Sequence, residues 1–151
     1  MTIITDSREK PKIIESILKE FDRQGVEHFS SKLFVGDYMN LDNPRLTIDR
    51  KHNLSEVCNN VVQDHKRFCA ELERANKYGI KVIVLVEHSK NIKTLSDVQH
   101  WVNPRLKVSP LAVSGERLYK ILLAISKKYN VDFQFCTKQE TGKRIIELLK
   151  I

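Results

Sequence analysis

The run KVIVLVE (81–87) constrains the fold most, because every residue between its two charged ends is apolar. A strand that buries one face alternates apolar and polar residues, whereas a continuous apolar strand is typical of a sheet covered on both faces. We therefore predict that residues 81–87 form a central strand with helices packed on either side of the sheet.

The rest of the chain alternates strand and helix patterns. Strands are predicted over 2–5, over 26–38 as a strand, turn and strand ending at Gly36-Asp37, over 45–51 and over 131–135. Helices are predicted from Pro11 to Gly25, from Asn53 to Gly79, over 95–101, from Ser114 and after Thr137, from apolar spacing and capping residues. This order predicts an α/β fold of three layers, with a central mixed β-sheet flanked by helices.

Composition indicates one soluble domain over 1–151, with 41% hydrophobic and 30% charged residues. No apolar run reaches the length of a membrane span, and the N-terminus lacks a secretory pattern, so we expect a cytoplasmic protein. Three cysteines without a CxxC or His/Cys cluster indicate neither a disulfide framework nor a zinc site. The net charge of +7 suggests an anionic partner such as nucleic acid, although many basic proteins merely carry solvated lysines.

An acid and a lysine end the predicted strand RLTIDRK (45–51). Residues two apart in a strand point the same way, so Asp49 and Lys51 share one face and Arg50 takes the other. An antiparallel return through the turn at 42–44 would bring Asp37 near Asp49. The sequence thus predicts two carboxylates and an amine at strand ends.

Two further acids follow the first predicted strand, Asp6 at its end and Glu9 within one turn. Clustered carboxylates repel one another and are tolerated when a hard cation such as Mg²⁺ or Mn²⁺ neutralises them. Such a cation can activate water for attack on a phosphodiester, and a nearby lysine can act on the water or the phosphate. The pattern is loose by itself, because each acid could equally be a turn residue or a strand-end charge.

Five ordered motifs make the interpretation more specific. They are TDSRE (5–9), GDY (36–38), IDRK (48–51), DHKRFCAELERA (64–75) and KVIVLVE (81–87), followed by a closing helix–strand–helix segment over 114–149. In order and spacing the whole chain resembles the ERCC4-type nuclease domain of the XPF/Mus81/Hef endonucleases. That family lies within the PD-(D/E)XK superfamily, so the resemblance implies a restriction-endonuclease-like fold.

The resemblance also implies roles for the acids and the lysine. Asp37 matches the acid of the family's G-D motif, and Asp49 and Lys51 match the ends of its E-R-K triplet. Asp37 and Asp49 are therefore implied as ligands of Mg²⁺ or Mn²⁺, and Lys51 as the group acting on water or phosphate. Asp6, the first acid of the D-x-R-E motif, is a third candidate ligand, and Glu9 is a further candidate catalytic acid.

Basic residues supply candidate DNA contacts, namely Arg8, Arg50, Lys66, Arg67, Arg105 and Lys107. Arg8 and Arg50 could contact phosphates or brace the acids, and Arg50, which faces away from Lys51, could equally be structural. Lys66 and Arg67 fit a solvated helix face as well as a phosphate contact. Arg105 and Lys107 are better candidates, because they lie in a proline-bearing loop that could reach a duplex.

Two positions depart from the family pattern. Asp49 stands where the family usually has Glu, which shortens the side chain by one methylene group. Ser55 stands where the family places another acid, and only Glu56 is close. For Glu56 we favour a capping role with Asn53.

The resemblance implies a metal-dependent DNA endonuclease, acting on branched, flap or fork DNA in repair, recombination or phage replication. The alternative is a catalytically inactive DNA-binding or scaffold protein of the same fold. Relatives usually carry a helicase-like region or a tandem helix–hairpin–helix module. Since neither occurs in these 151 residues, we expect a free-standing bacterial or phage-type member.

A homodimer through the last helices is also implied. These helices carry apolar stripes that fit a dimer interface or simply the core: Leu118, Ile121, Leu122, Ile145, Leu148 and Leu149.

Overall fold

The computed structural model describes residues 1–150, in which six strands form one mixed sheet with helices on both faces. The strands are β1 (Thr2–Asp6), β2 (Glu27–Ser31), β3 (Tyr38–Asn40), β4 (Asn43–Lys51), β5 (Lys81–Glu87) and β6 (Asp132–Cys136). The helices are α1 (Glu15–Arg23), α2 (Leu54–Cys58), α3 (His65–Lys77), α4 (Gly115–Tyr129) and α5 (Thr141–Leu149). The predicted three-layer α/β architecture is confirmed.

The strands lie in the order β2-β1-β3-β4-β5-β6. β1 is parallel to β2, β3 is antiparallel to both of its neighbours, and β4, β5 and β6 are mutually parallel. As a result, β1, β4 and β5 all point the same way, and their carboxyl ends meet at one edge of the sheet.

β5 is buried on both faces, as its apolar run predicted. Ile83 and Leu85 belong to the core under α1 and α5. Val82, Val84 and Val86 belong to the core under α2, α3 and α4. The alternation of side chains along one strand therefore links both hydrophobic layers of the protein.

The predicted helix between Asn53 and Gly79 is interrupted. α2 ends at Cys58, a π-helical turn spans Asn59–Gln63, and α3 begins at His65. A π turn holds an extra residue, so it rotates the helix face that follows it. Val62, which a regular helix would bury, is consequently exposed, whereas Phe68 lies in the core.

Two other boundaries differ from the predictions. α1 begins at Glu15 and not near Pro11 as predicted, and Ile13 lies exposed before the helix. The strand predicted to end at Gly36-Asp37 instead begins at Tyr38. Gly36 has a φ of +79°, a left-handed conformation that belongs to a turn and not to a strand.

The capping predictions are confirmed in their main features. The Ser114 hydroxyl accepts the Arg117 N–H at the start of α4, and Thr137 and Glu140 form a capping box before α5. The Asn53 side chain accepts the Glu56 N–H, while the Glu56 carboxylate accepts the N–H of His52.

The apolar stripes of the last two helices lie inside the protein. Leu118, Leu122, Ile145 and Leu149 are fully buried, and Ile121 and Leu148 pack against the same two clusters. Of the two uses that the sequence left open, these stripes therefore serve the core.

Cys58, Cys69 and Cys136 are buried, and none of them is joined in a disulfide within residues 1–150. Over the same residues, every helix is too short or too polar to cross a bilayer.

Candidate active site

The predicted acids and lysine meet where the carboxyl ends of β1, β4 and β5 converge. Asp6 closes β1, Asp49 and Lys51 close β4, and Asp37 lies just before β3, between these two strands. The sheet order, together with the antiparallel pairing of β3 and β4, brings residues from three separated sequence segments together.

Asp37 is fixed by its own backbone. Its N–H donates to the Ile48 carbonyl at 2.7 Å, and its carbonyl accepts the Asp6 N–H at 2.7 Å. One carboxylate oxygen accepts the Arg50 N–H at 2.8 Å. The Asp37 side chain is therefore held against β4 beside Asp49.

Gly36 permits this approach. A Cβ atom at this position would lie 2.8 Å from the Thr47 hydroxyl oxygen and 2.9 Å from the Thr47 Cβ. The positive φ of Gly36 also disfavours any other residue. The Gly-Asp pair therefore brings the loop onto β4 more closely than a side chain would allow.

Asp49 and Lys51 share the face that alternation predicted. The Lys51 ammonium lies 3.3 Å from the Asp49 carboxylate and 5.8 Å from the centre of the Phe68 ring. Burial by itself lowers the pKa of Lys51, but the nearby carboxylates of Asp49, Glu56 and Asp37 outweigh it and raise the pKa. Lys51 is thus a cation at neutral pH.

The surroundings of Asp37 disfavour ionisation of its carboxyl group. Burial, together with the neighbouring carboxylates of Asp49 and Glu9, raises the pKa of Asp37 to about 8. Ionisation of both carboxyl groups in such contact is unfavourable, and the Lys51 ammonium offsets this cost only in part. The pair therefore stores an unfavourable interaction that a cation between the carboxylates would relieve.

Arg50, between Asp49 and Lys51 in the sequence, lies on the other face of β4. Its guanidinium binds both oxygens of Glu9 at 2.9 and 3.0 Å and one oxygen of Glu87 at 2.6 Å. Its side chain is 4% exposed. This geometry fits a role for Arg50 in bracing the acids. Its buried guanidinium is not accessible to a phosphate of DNA in solvent.

Asp6 is fully buried, and protein donors engage both of its carboxylate oxygens. One oxygen accepts the Leu33 N–H at 2.8 Å, and the other accepts the Arg8 Nε at 2.6 Å and the Arg8 N–H at 3.2 Å. Burial raises the pKa of Asp6, but these hydrogen bonds exceed that effect and leave the pKa lowered. In this arrangement Asp6 anchors the loop beside Asp37.

Divalent-metal binding can be tested against this donor set. Among residues 1–150, no group of three or more His, Cys, Asp or Glu side chains is placed to hold a metal ion by itself. Mg²⁺ does not need such a group, since one or two carboxylates usually hold it together with water and substrate phosphate. The Asp37–Asp49 pair offers two hard oxygen ligands of this type, so the residues fit a hard divalent cation.

The charge balance around the pair agrees with this fit. Asp37, Asp49, Glu9 and Glu87 supply four carboxylates, whereas Arg50 and Lys51 supply two cations. Two negative charges remain uncompensated in this cluster when all four acids are ionised. A divalent ion carries the charge that would neutralise them.

Ser55 contributes no acid, but Glu56 lies near the site. Its carboxylate accepts the His52 N–H at 3.0 Å, and its charge contributes to the raised pKa of Lys51. Glu56 therefore supports the loop after β4 and adds negative charge beside Lys51.

Two histidines lie near these elements. His52 contacts Arg50, and His65 is exposed with its ring next to the Val61 carbonyl.

The predicted DNA-contact residues, other than Arg50, are exposed. Arg8 lies beside the buried Asp6, and Lys66 and Arg67 lie on the first turn of α3. Arg67 and Lys51 line the same small pocket of about 190 Å³.

The proline-bearing loop carries the two remaining candidates. Arg105 lines a cavity of about 200 Å³ together with Asn59 of the π-helical turn, and Lys107 is exposed in the same 3₁₀ turn, Pro104–Lys107.

Sequence reasoning missed Glu87. This acid ends the apolar strand β5 and is buried, and it forms the shorter of the contacts to Arg50. Its position in the sequence could have indicated this contact, because an acid at the end of an otherwise apolar central strand needs a buried partner.

Comparisons with known proteins agree with this geometry. A sequence model described as the ERCC4 domain matches residues 5–149. The structure of XPF from Aeropyrum pernix superposes with a TM-score of 0.69 at 17% identity, over 99% of this chain and 64% of that one. A second structure of that protein, in complex with DNA, superposes with a TM-score of 0.69 at 20% identity, over 99% of this chain and 63% of that one.

These structural similarities establish the fold. The chain spans less than two thirds of the length of the XPF chains that it matches. Among curated proteins, the sequence finds no significant match.

The Asp37 carboxyl predicts an unusual pH dependence of stability. It stays protonated in the folded protein until about pH 8, whereas it ionises near pH 3.8 in the unfolded chain. The free energy of unfolding should therefore fall as pH rises between these values in metal-free buffer. Asp37→Asn should remove this contribution and stabilise the metal-free protein at pH 7.5 by at least about 1 kcal/mol, measured by urea denaturation.

The matched control is Asp42→Asn, which alters an exposed carboxylate in the turn after β3 and should leave stability unchanged. Millimolar Mg²⁺ or Mn²⁺ should stabilise the wild type and not Asp37→Asn. An Asp37→Asn variant less stable than the wild type without metal would refute the electrostatic account.

The Arg50 cluster predicts a large structural effect. Arg50→Met leaves Glu9 and Glu87 buried without their cation and should lower the free energy of unfolding by about 3–5 kcal/mol. Addition of Glu9→Gln and Glu87→Gln should recover part of that loss. Arg23→Met, which breaks an exposed pair with Glu20, is the control. Its free energy of unfolding should be close to that of the wild type. Equal losses in both arginine variants would show that burial of the cluster does not matter.

Proposed function

This chain belongs to the ERCC4 domain family, and on that premise we propose that it is a divalent-metal-dependent endodeoxyribonuclease that hydrolyses phosphodiester bonds. The observation that carries the proposal is the Asp37–Asp49 pair, with the Lys51 ammonium 3.3 Å from Asp49 at the edge of the sheet. Phosphodiester hydrolysis needs a neutralised phosphate, a nucleophilic water and compensation of developing negative charge, and these residues supply groups for each need.

Asp37 and Asp49 would hold Mg²⁺ or Mn²⁺, with Asp6 or Glu9 assisting. When bound, this cation supplies Lewis acidity and lowers the pKa of a bound water. Glu9 is connected to the site by its hydrogen bonds with Arg50. Asp6 lies beside Asp37 and is hydrogen-bonded to Arg8. Their role in this account is to position the two aspartates.

Lys51 acts as a cation. Its raised pKa makes it a poor base at neutral pH and a good donor to a phosphate oxygen. It lies beside Asp49 and is mostly buried, so a phosphate oxygen near the carboxylate pair would meet its charge in a partly desolvated environment. We assign it stabilisation of the phosphorane-like transition state and orientation of the attacking water.

The proposed substrate is DNA, in branched, flap or fork form, in repair, recombination or phage replication. Arg8, Lys66, Arg67, Arg105 and Lys107 are exposed cations that would contact phosphates. The complex of Aeropyrum pernix XPF with DNA supports DNA as the partner of this fold.

The second candidate is a non-catalytic DNA-binding or scaffold protein. Asp49 in place of Glu and Ser55 in place of an acid are the observations that favour it. Against it, the Asp37–Asp49 pair is electrostatically costly, since burial and mutual repulsion raise the pKa of Asp37. A chain released from catalysis has no reason to keep such a cost.

Incubation with flap, fork and four-way-junction DNA tests the proposal. With Mg²⁺ or Mn²⁺ the wild type should cut at least one substrate, and EDTA should abolish cutting. Asp49→Ala should remove activity, and Lys51→Ala should lower it by a factor of roughly 10²–10³, since an electrostatic stabiliser of the transition state is lost.

Lys19→Ala provides a matched control, because Lys19 is an exposed lysine of α1 paired with Glu15. It should cut at the wild-type rate. Intact DNA binding without cleavage of any substrate would favour the scaffold and refute the nuclease.

The homodimer implied by the family resemblance is also a proposal. Because the apolar stripes of α4 and α5 are buried in the core, a dimer through these helices would use their outer residues. Sedimentation equilibrium should give a mass near twice 17.6 kDa. A single 17.6 kDa species at high concentration would exclude the dimer.

A further inference from the structure

Two exposed aromatic rings lie together on the surface beside α3. Phe34 and Tyr78 are 54% and 58% exposed, and their rings meet edge to face with centroids 5.1 Å apart. The Arg74 guanidinium lies 5.1 Å from the Phe34 ring, and the Lys77 ammonium lies 5.7 Å from the Tyr78 ring. We call these four residues the Phe34–Tyr78 surface.

The local backbone holds this surface in place. Phe34 belongs to the loop between β2 and β3, and its carbonyl accepts a hydrogen bond from Arg74 at 3.4 Å. The next residue, Val35, is buried in the core beneath α3. The loop is anchored there, with the Phe34 ring on the solvent side.

The surface is continuous with the candidate active site. Phe34 precedes Asp37 by three residues, and α3 carries Arg67 and Glu71, which line the same pocket as Lys51. Glu71 is also close enough to Arg8 to contribute to its raised pKa. From that pocket, residues at helical spacing lead along α3 to Arg74 and the two rings.

The two cations of the surface have no direct carboxylate partner among residues 1–150. Over residues 1–150, neither Arg74 nor Lys77 forms an ion pair with a carboxylate. Exposed aromatic rings interleaved with unpaired cations are the combination that binds single-stranded nucleic acid, because rings stack on bases and cations meet phosphates. A protein partner with an acidic surface would need the cations but not two exposed rings.

We propose that the Phe34–Tyr78 surface binds an unpaired strand of the DNA substrate by stacking bases on its two rings. The inference rests on the proposed nuclease function and adds to it the substrate feature that is recognised, an unpaired segment beside the cleaved phosphate. Arg74 and Lys77 contact the phosphates that flank the stacked bases.

The length of α3 sets the distance between the stacked bases and the cleaved phosphate. Phe68, which contacts Lys51, lies in the first turn of α3 and Tyr78 is its C-cap, ten residues later or about 15 Å at 1.5 Å per residue. Stacked nucleotides in one strand are about 3.4 Å apart. The stacked bases should therefore lie roughly three to five nucleotides from the cleaved phosphate.

The test compares DNA affinities in the Asp49→Ala background, where the DNA stays uncut. Fluorescence anisotropy is measured with a fully paired duplex, a single strand, and a flap whose tail carries 2-aminopurine. Phe34→Leu and Tyr78→Leu remove the aromatic faces and keep an apolar side chain. Each should weaken binding to the flap and the single strand by about fivefold or more, with duplex affinity within twofold of the parent.

Phe29→Leu is the matched control, since Phe29 is an exposed ring on edge strand β2, outside the Phe34–Tyr78 surface, and should bind every DNA like the parent. Quenching of 2-aminopurine should be greatest three to five nucleotides from the cleavage position and should disappear in Tyr78→Leu. Thermal unfolding of each variant checks that the fold is retained.

The outcomes separate this inference from the nuclease proposal. Unchanged affinity for the unpaired strands overturns the inference, whether or not the wild type cleaves DNA. Equal losses on duplex and unpaired DNA, or a shift in oligomeric mass without a change in DNA binding, overturn it as well. Ring-dependent binding in a protein that never cleaves would support the stacking surface and refute the nuclease.

Discussion

The buried Arg50 cluster is the interaction on which the site depends. Arg50 lies on β4 between Asp49 and Lys51, and its guanidinium binds Glu9 from the loop after β1 and Glu87 from the end of β5. Three segments are thereby fastened at the edge of the sheet where the candidate site lies. Since adjacent residues of a strand point to opposite faces, fixing Arg50 on one face fixes the directions of Asp49 and Lys51 on the other.

The two faces of β4 balance charge in different ways. Arg50 is satisfied by carboxylates of the protein, and the contacts from Glu9 and Glu87 keep its pKa raised despite burial, which by itself would lower it. The Lys51 ammonium lies beside the Asp37–Asp49 pair, but burial and the carboxylates of Asp49 and Glu9 outweigh it and raise the pKa of Asp37. Such repulsion at the edge of the sheet lowers the stability of the metal-free protein, and binding of a cation would restore it.

Local patterns predicted those features that depend on neighbours in the sequence. The apolar run of β5 predicted a sheet covered on both faces, and alternation along β4 predicted that Asp49 and Lys51 share a face. A turn after β3 was predicted to bring Asp37 to β4, and the structure has this return, with the turn at residues 41–42 and not at 42–44. In each case the period of the strand or the length of the turn leaves few arrangements.

Features that depend on distant contacts were not predictable in this way. Glu87 contacts Arg50 from 37 residues further along the chain, and Leu33 supplies the N–H that engages Asp6. The π-helical turn before α3 changes the helix face through one extra residue, which apolar spacing does not reveal. The pairing of Phe34 with Tyr78 likewise follows from how the loop before β3 packs on α3.

The central claim is that Asp37 and Asp49 together hold a divalent cation. Crystals soaked in Mn²⁺ and measured for anomalous scattering test it most directly. The account predicts a difference peak within bonding distance of a carboxylate oxygen from each aspartate, which is absent in crystals of Asp37→Asn. A fully occupied peak elsewhere, or none beside this pair at saturating Mn²⁺, would contradict the account.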